Sequence, residues 1–405
     1  MSSAAKQHYR IIIVGGGTGG ISVAARLVRA LKQPDIAIIE PSEAHYYQPL
    51  WTLVGGGVFK KEITQRQEKK LIPHGVTWFQ ERVTELCPRE NSVTLSDGRA
   101  IAYDYLVLAP GIQLDWHKIK GLEGHLGENG LCSNYAYEQC ERTWETIRAF
   151  QGGDALFTQP ASPIKCGGAP QKIMYLADDA LRKSGRREKT NITFLTGTPT
   201  IFTSPAYIPA LSKVIARKGI QTYVRHELVE VRPQRKEAVF TNLEDGSELI
   251  LHYDMMHITP PMSAPDFIQQ SPLAQTEGPQ KGYVKVDKGT LQHPDFPNVF
   301  ALGDASSLPT SKTGAAIRKQ APVLAHNLLA MIRREDAGTF AVYDGYTSCP
   351  LVTGYGKLIL AEFDYSLKPK ETFPFDQSKE RLSMYLLKKY ALPVLYWQGM
   401  LKGRA

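Results

Sequence analysis

The chain has 405 residues, 42% of them hydrophobic, and a net charge of +8 from 48 Lys and Arg against 40 Asp and Glu. That length buries a large core in two or three domains and excludes a small disulfide-stapled or disordered protein. The positive charge suits anionic small molecules or lipid headgroups. Nucleic acid is not expected, since the one short basic run, residues 182–190, reads as a solvated loop.

Met1 to Arg10 leave no room for a leader ahead of the first predicted strand. No uncharged apolar run reaches the roughly 18 residues of a membrane span. Five cysteines in a chain read as cytosolic argue against a structural disulfide framework, so any disulfide here is expected to be redox-active.

Ile11 to Val14 form a β-branched run that predicts a buried parallel strand. It leads into Gly15-Gly16-Gly17-Thr18-Gly19-Gly20 and then a helical apolar pattern through Ile21, Ala24, Ala25 and Leu27. Gly15, Gly17 and Gly20 fit the strand–G-x-G-x-x-G–helix fingerprint, whose helix N-terminus holds a pyrophosphate. A second strand, Ile36 to Glu40, ends in a carboxylate about 20 residues on, where a ribose hydroxyl needs an acceptor. A loop with Gln48-Pro49 follows. Residues 76–86, 92–95 and 99–103 alternate like antiparallel strands of a small meander. Another buried parallel strand then runs from Tyr105 and ends in Ala109-Pro110-Gly111. Far downstream, residues 298–305 repeat the strand form and end in Gly303-Asp304.

The glycine fingerprint, the acidic second strand, the Ala-Pro-Gly strand end and the Gly-Asp strand end occur in an order and spacing that resemble the FAD half of the two-dinucleotide-domain flavoproteins. The resemblance implies an α/β fold with two Rossmann-like domains and FAD as cofactor. The expected cofactor-binding residues are Gly15, Gly17, Thr18, Gly19, Gly20, Glu40, Gln48, Val83, Ala109, Pro110, Gly111, Asp304 and Lys312. No metal is expected.

The middle of the chain should hold the second nucleotide-type unit. Strand 154–157 is followed by the proline-rich loop 158–165, with no glycine fingerprint, and strand 191–195 ends in Thr196-Gly197, with no acid. Both features that hold a nicotinamide dinucleotide are missing, so the electron donor is something else. Cys166 lies just before the next predicted helix, beside Lys165. The helix dipole and the neighbouring charge favour its thiolate there. Cys349 sits in a loop, residues 346–355, and sequence spacing cannot show whether the two meet.

Residues 166–176 (CGGAPQKIMYL), 308–316 (LPTSKTGAA), 344–355 (DGYTSCPLVTGY), 360–365 (LAEFDY) and 372–385 (TFPFDQSKERLSMY) resemble the sulfide:quinone oxidoreductases. The likeness is to the branch that includes the mitochondrial enzymes, and similar segments run from Tyr9 to about Trp397. The resemblance implies that Cys166 and Cys349 form a working disulfide beside the flavin. Hydrosulfide attacks one sulfur, leaving a persulfide and a thiolate. By the same likeness Cys166 faces the flavin and passes two electrons to it, and Cys349 carries the sulfur until a small-molecule acceptor removes it. Lys312 matches a segment near the flavin, where a cation would stabilise the reduced ring. Cys132 matches a third cysteine of some branches and is expected to be structural, as are Cys87 and Cys140.

From Leu382 onward the chain mixes apolar and aromatic groups with Lys388, Lys389, Lys402 and Arg404. Its longest uncharged run, Tyr390 to Leu401, has 12 residues. This composition predicts an amphipathic segment in the headgroup plane of a membrane, with the quinone ring near Phe363, Phe375, Tyr385 or Trp397. The expected domains are 1–114 with 296–345 for FAD, 115–295 carrying Cys166, and 346–405 for quinone and membrane contact. A homo-oligomer is possible, and the native Met1 favours the cytoplasmic face of a bacterial inner membrane. The rivals are a type-II NADH:quinone dehydrogenase, a flavocytochrome-type sulfide dehydrogenase and an interaction protein that keeps FAD as a prop.

Overall fold

A computed structural model describes residues 7–405; the reading of Met1 to Arg10 falls partly on residues 1–6, outside the described residues. Two parallel-cored sheets organise the chain. The first has seven strands and contains His8–Val14 at its centre, between Ile36–Ile39 and Ala100–Leu108. Ile11, Ile12 and Ile13 are fully buried because helices or loops cover both faces of a parallel sheet. Val299–Ala301 joins beyond Ala100–Leu108 in parallel register, so the turns after Val14, Leu108 and Ala301 open on one edge.

Two predicted strand assignments are corrected. Residues 76–86 are not one antiparallel strand. Thr77–Phe79 pairs parallel with Ile36–Ile39, and only Val83–Cys87 enters the antiparallel part. Residues 99–103 and the strand from Tyr105 form the single strand Ala100–Leu108. Its first half pairs antiparallel with Ser92–Leu95 and its second half parallel with His8–Val14. Alternation along a strand reports burial of its faces and does not report the direction of its neighbours, which decided both points.

The second sheet has five parallel strands in the order Leu131–Cys132, Met255–His257, Gly153–Gln159, Thr190–Thr196, Gln221–Val224. Helix Ala169–Lys183 packs on it, burying Ile173, Met174, Ala177 and Leu181. The stretch 346–355 read as a loop is instead the strand Thr347–Gly354, paired in a hairpin with Lys357–Phe363 against the same helix, and Cys349, Leu351 and Phe363 share its core. Beyond the hairpin, short helical turns run from Leu382 to Lys402 and return to the first helix, Thr18–Ala30, where Arg26 donates to the carbonyl of Ala405. Among the described residues no helix is long and apolar enough to cross a membrane.

Candidate active site

The glycine turn is crowded on one side and open on the other. Gly15 has φ +99, and a Cβ on it would lie 2.4 Å from the carbonyl oxygen of Ala109. A Cβ on Gly20 would lie 1.9 Å from that of Gly15. A Cβ on Gly17 would meet nothing within 4 Å, so the side of the turn that faces outward is open. Glu40 ends its strand with one oxygen accepting from the Gly16 N–H at 2.8 Å and the other from the Ser42 N–H at 2.8 Å. Beside it lies Glu68, 1% exposed, whose Oε1 has no partner. An orphaned buried carboxylate oxygen over an open glycine turn is the signature of a missing hydroxyl donor, and a ribose supplies one.

Sequence reasoning missed the rest of this corner. His45 takes Glu68 on Nδ1 at 3.1 Å and the Tyr396 hydroxyl on Nε2 at 2.5 Å; the same hydroxyl meets Thr18 Oγ1 at 2.9 Å. No local signal could reveal contacts spanning 351 and 378 residues of chain.

The other expected cofactor residues scatter along this edge. Val83 is buried on its strand, and Gln48 is exposed at the start of a short turn, with Pro110 and Gly111 half-buried after their strand. Asp304 sits in the turn Gly303–Ala305; burial raises its carboxyl, against the pull of Lys312 and Lys165. Lys312 is itself buried, and desolvation pushes it down to about 8. Its ammonium donates to the carbonyls of Asp304 at 2.8 Å and Ser306 at 3.1 Å, 3.9 Å from the ring centre of Tyr283.

The backbone of Lys312 delivers the cysteines to this crevice: the Cys166 N–H donates to the Lys312 carbonyl at 2.8 Å. Cys166 has φ +57, a left-handed conformation that L residues hold only when their surroundings impose it. Besides its own N–H, its carbonyl is fixed too, accepting from Ala169 at 2.8 Å. Its Sγ lies 3.9 Å from Cys349 Sγ, 183 residues away. Gly168 makes the meeting possible, because a Cβ there would stand 2.6 Å from the Cys349 sulfur and 2.4 Å from Leu351.

The cation at Cys166 is not the sequence neighbour Lys165. That ammonium turns to the Tyr135 carbonyl at 3.3 Å and the ring of Trp51. Lys172, 2% exposed and six residues further on, donates to the Cys166 sulfur at 3.0 Å. The Cys349 thiol donating to it, the charge and hydrogen bond of Lys172, and the charge of Lys388 together hold the Cys166 thiol well below its ordinary value, although burial opposes this. Cys349 goes the other way, well above it: the Cys166 sulfur takes its proton as a hydrogen bond, and burial adds to the rise. The surroundings therefore favour negative charge on Cys166 over Cys349.

Lys388 corrects the reading of the carboxyl-terminal lysines as a headgroup face. It is 3% exposed, donates to the Pro49 carbonyl at 3.0 Å, and is pushed down to about 7 by burial and then by Lys172. An ammonium at that value takes up and gives off a proton near neutrality beside the two sulfurs.

The four aromatics expected at a quinone do not share one cluster. Phe363 is buried edge-on against Phe202, in the core that contains Cys349. Phe375 stacks on Phe373 under Arg381. Tyr385 is buried, and Trp397 lies by Tyr396, Tyr47 and His45. Cys132 and Cys140 are fully buried, and burial pushes both thiols up to about 12; Cys87 is half-buried on the edge strand Val83–Cys87.

In the second sheet the backbone N–H of Ala161, where a phosphate turn would offer its donors, already gives its hydrogen to Glu227 at 2.6 Å. Burial pushes that carboxyl up to about 7. One backbone donor at this strand end is thus already taken by a side chain of the chain itself.

Residues 9–149 match the model of the pyridine nucleotide-disulphide oxidoreductases. The chain is 48% identical to "Sulfide:quinone oxidoreductase, mitochondrial" of Mus musculus, over 98% of this chain and 88% of that protein. It is 49% identical to the protein of the same name from Dictyostelium discoideum, over 98% and 87%. The X-ray structure of the sulfide:quinone oxidoreductase from Aquifex aeolicus superposes with a TM-score of 0.83 at 21% identity, covering 99% of this chain and 92% of that one.

Proposed function

The chain belongs to the family of sulfide:quinone oxidoreductases, and from that membership we propose how its own residues carry out the reaction. It is a flavin-dependent oxidoreductase with sulfide and quinone as substrates. We take the flavin to be FAD, held by the Gly15–Gly20 turn, Glu40 and the Ala109–Gly111 and Asp304 strand ends. Residues 1–114 with 296–345 form its domain in this reading. When bound, the flavin accepts an electron pair and hands it on.

One observation carries the sulfur chemistry: two sulfurs 3.9 Å apart with a buried ammonium donating to that of Cys166 at 3.0 Å. Oxidised, they form a disulfide. Hydrosulfide attacks Cys349 Sγ, the Cys166–Cys349 bond breaks, and its electron pair stays on Cys166, where Lys172 holds the negative charge. Cys349 keeps the sulfane sulfur for a small-molecule acceptor. Lys388 holds or releases a proton at Nζ, as quinone reduction requires. Phe375 and Tyr385 stand in the same carboxyl-terminal stretch, and they are the aromatics we place at the quinone.

The test is anaerobic: hydrosulfide bleaches the flavin absorbance and NADH does not. Bleaching by NADH with none by hydrosulfide would replace this reading by an NADH dehydrogenase. Glu227 on the Ala161 N–H supports the expected order.

We place the enzyme on a membrane surface through its carboxyl-terminal turns. Leu382, Leu386, Tyr390 and Val394, spaced by four, are 59%, 43%, 56% and 62% exposed, while Met384, Tyr385 and Lys388 of the same segment are buried. An apolar stripe of this kind lies in the headgroup region. Leu386→Asp with Val394→Asp abolishes co-flotation with phospholipid vesicles and leaves turnover with a water-soluble short-chain quinone within about twofold, because both side chains point outward. Undiminished flotation would remove this assignment. The relatives are named as mitochondrial, and the expectation of a bacterial inner membrane draws no support from them.

A further inference from the structure

Four buried polar atoms without partners lie at the carboxyl-terminal edge of the five-stranded sheet: Tyr135 OH, Thr259 Oγ1, Gln159 Oε1 and His257 Nδ1. Their residues are 3%, 2%, 8% and 0% exposed. Phe157 and His257 are register partners, and their rings stack at 6.1 Å, so they share a face. Side chains alternate along a strand, so Gln159 projects from that same face, and Thr259, just past its strand, meets the Tyr135 hydroxyl. Phe157 shares its core with Cys349, so this is the side of the sheet on which the sulfurs lie. The Tyr135 ring is 6.4 Å from that of His257, its hydroxyl faces Thr259, and Cys166 packs against it.

Asn134 meets His257 Nε2 twice, through its backbone N–H at 3.1 Å and through its amide oxygen. Burial pushes this imidazole down to about 3, so the ring is neutral. The Tyr135 and Thr259 hydroxyls face one another; one hydrogen bond between them leaves the pair a hydrogen to give, and Gln159 Oε1 has one to receive. Native interiors satisfy such atoms with water or a ligand. This edge of a parallel sheet is where ligands bind, and Glu227 takes the Ala161 N–H beside it.

We propose that these residues form the hydrosulfide site that loads the disulfide, with Tyr135 and Thr259 as its principal hydrogen-bond donors. The proposal rests on the sulfur chemistry given above. Hydrosulfide carries one charge for the donors and one hydrogen for Gln159, and it waits beside the bond it attacks. In the step itself HS⁻ adds to Cys349 Sγ, the Cys166–Cys349 bond breaks, and Cys166 leaves as the thiolate. The products are Cys349–S–SH and Cys166–S⁻, with no proton transferred. The sulfide sulfur loses two electrons and the disulfide gains them.

The experiment mixes flavin-loaded enzyme with hydrosulfide anaerobically in a stopped-flow instrument. Tyr135→Phe and Thr259→Val each lower the second-order rate of flavin bleaching about tenfold, the loss of one hydrogen bond to an anion. The sulfide KM rises and kcat at saturation holds. Reduction by dithionite is unchanged, and Thr259→Ser keeps the wild-type rate. Rapid quenching, alkylation and mass spectrometry show the Cys349 persulfide forming at the same lowered rate. Wild-type rates in both Tyr135→Phe and Thr259→Val would mean that the cluster holds only water, and would overturn the proposal. Equal losses in Thr259→Ser and Thr259→Val would assign Thr259 to packing and likewise overturn it. If hydrosulfide failed to bleach the wild-type flavin, the sulfur chemistry itself would fall first.

Discussion

Cys349→Ser loses sulfide-dependent flavin reduction by about three orders of magnitude or more, and Cys166→Ser does the same, because each removes a partner on which the other depends. An oxygen cannot replace either sulfur in a bond that must open to a nucleophile and close again. The fold does not suffer with the activity. Cys349 is 2% exposed within an apolar core, serine fits its volume, and the stability cost is about 1–2 kcal/mol. Both variants therefore load flavin and are reduced by dithionite at the wild-type rate. Anaerobic stopped-flow absorbance measures the two rates in one sample. A serine variant that still bleaches with hydrosulfide at a tenth of the normal rate would remove the disulfide from the reaction.

Lys172→Met lowers the same rate about 100-fold at neutral pH. Lys172 is the ammonium in contact with the Cys166 sulfur, and it is buried where solvent cannot replace it. The direction with pH follows from the thiol. In the wild type the Cys349 hydrogen bond and the Lys172 ammonium hold the Cys166 thiol well below its ordinary value, which favours the thiolate. With methionine at 172 the charge and hydrogen bond of the ammonium are gone, the Cys349 hydrogen bond and Lys388 remain, and burial opposes them, so the midpoint moves up. Iodoacetamide alkylation of Cys166 in the reduced enzyme reads this midpoint without turnover. An unshifted alkylation profile would assign the low value to the Cys349 hydrogen bond alone. Lys388 moderates the outcome on the acid side: it titrates at about 7, so below that pH a second cation faces the sulfurs.

Both predictions concern residues that a reading of the chain treats very differently. Cys166 stands out locally, in a Cys-Gly-Gly run ahead of a helix, and its neighbour Lys165 is the obvious cation. Lys172 does the work because helix Ala169–Lys183 begins three residues after Cys166, which brings the first turns of the helix back over the sulfur. Its only trace in the sequence is a charge within an apolar helical face, which reads equally well as a solvated position. Lys388 gives no better sign. Flanked by aromatics and another lysine, it has the composition of a membrane-surface segment, and only packing turns it inward while Leu386 and Tyr390 turn out.

The sequence by itself determined the nucleotide turn, the strands that support it and the absence of a second fingerprint. Each is written in consecutive residues, where backbone geometry and hydrophobic period act over short range. Tertiary structure alone decided that Cys349 meets Cys166 across 183 residues, that Tyr396 reaches Thr18, and that orphaned hydroxyls gather beside the sulfurs. Such contacts are set by how sheets, helix and hairpin pack, and packing energy is shared among many side chains. No single stretch of the chain therefore records the distance between two atoms brought together by all of them.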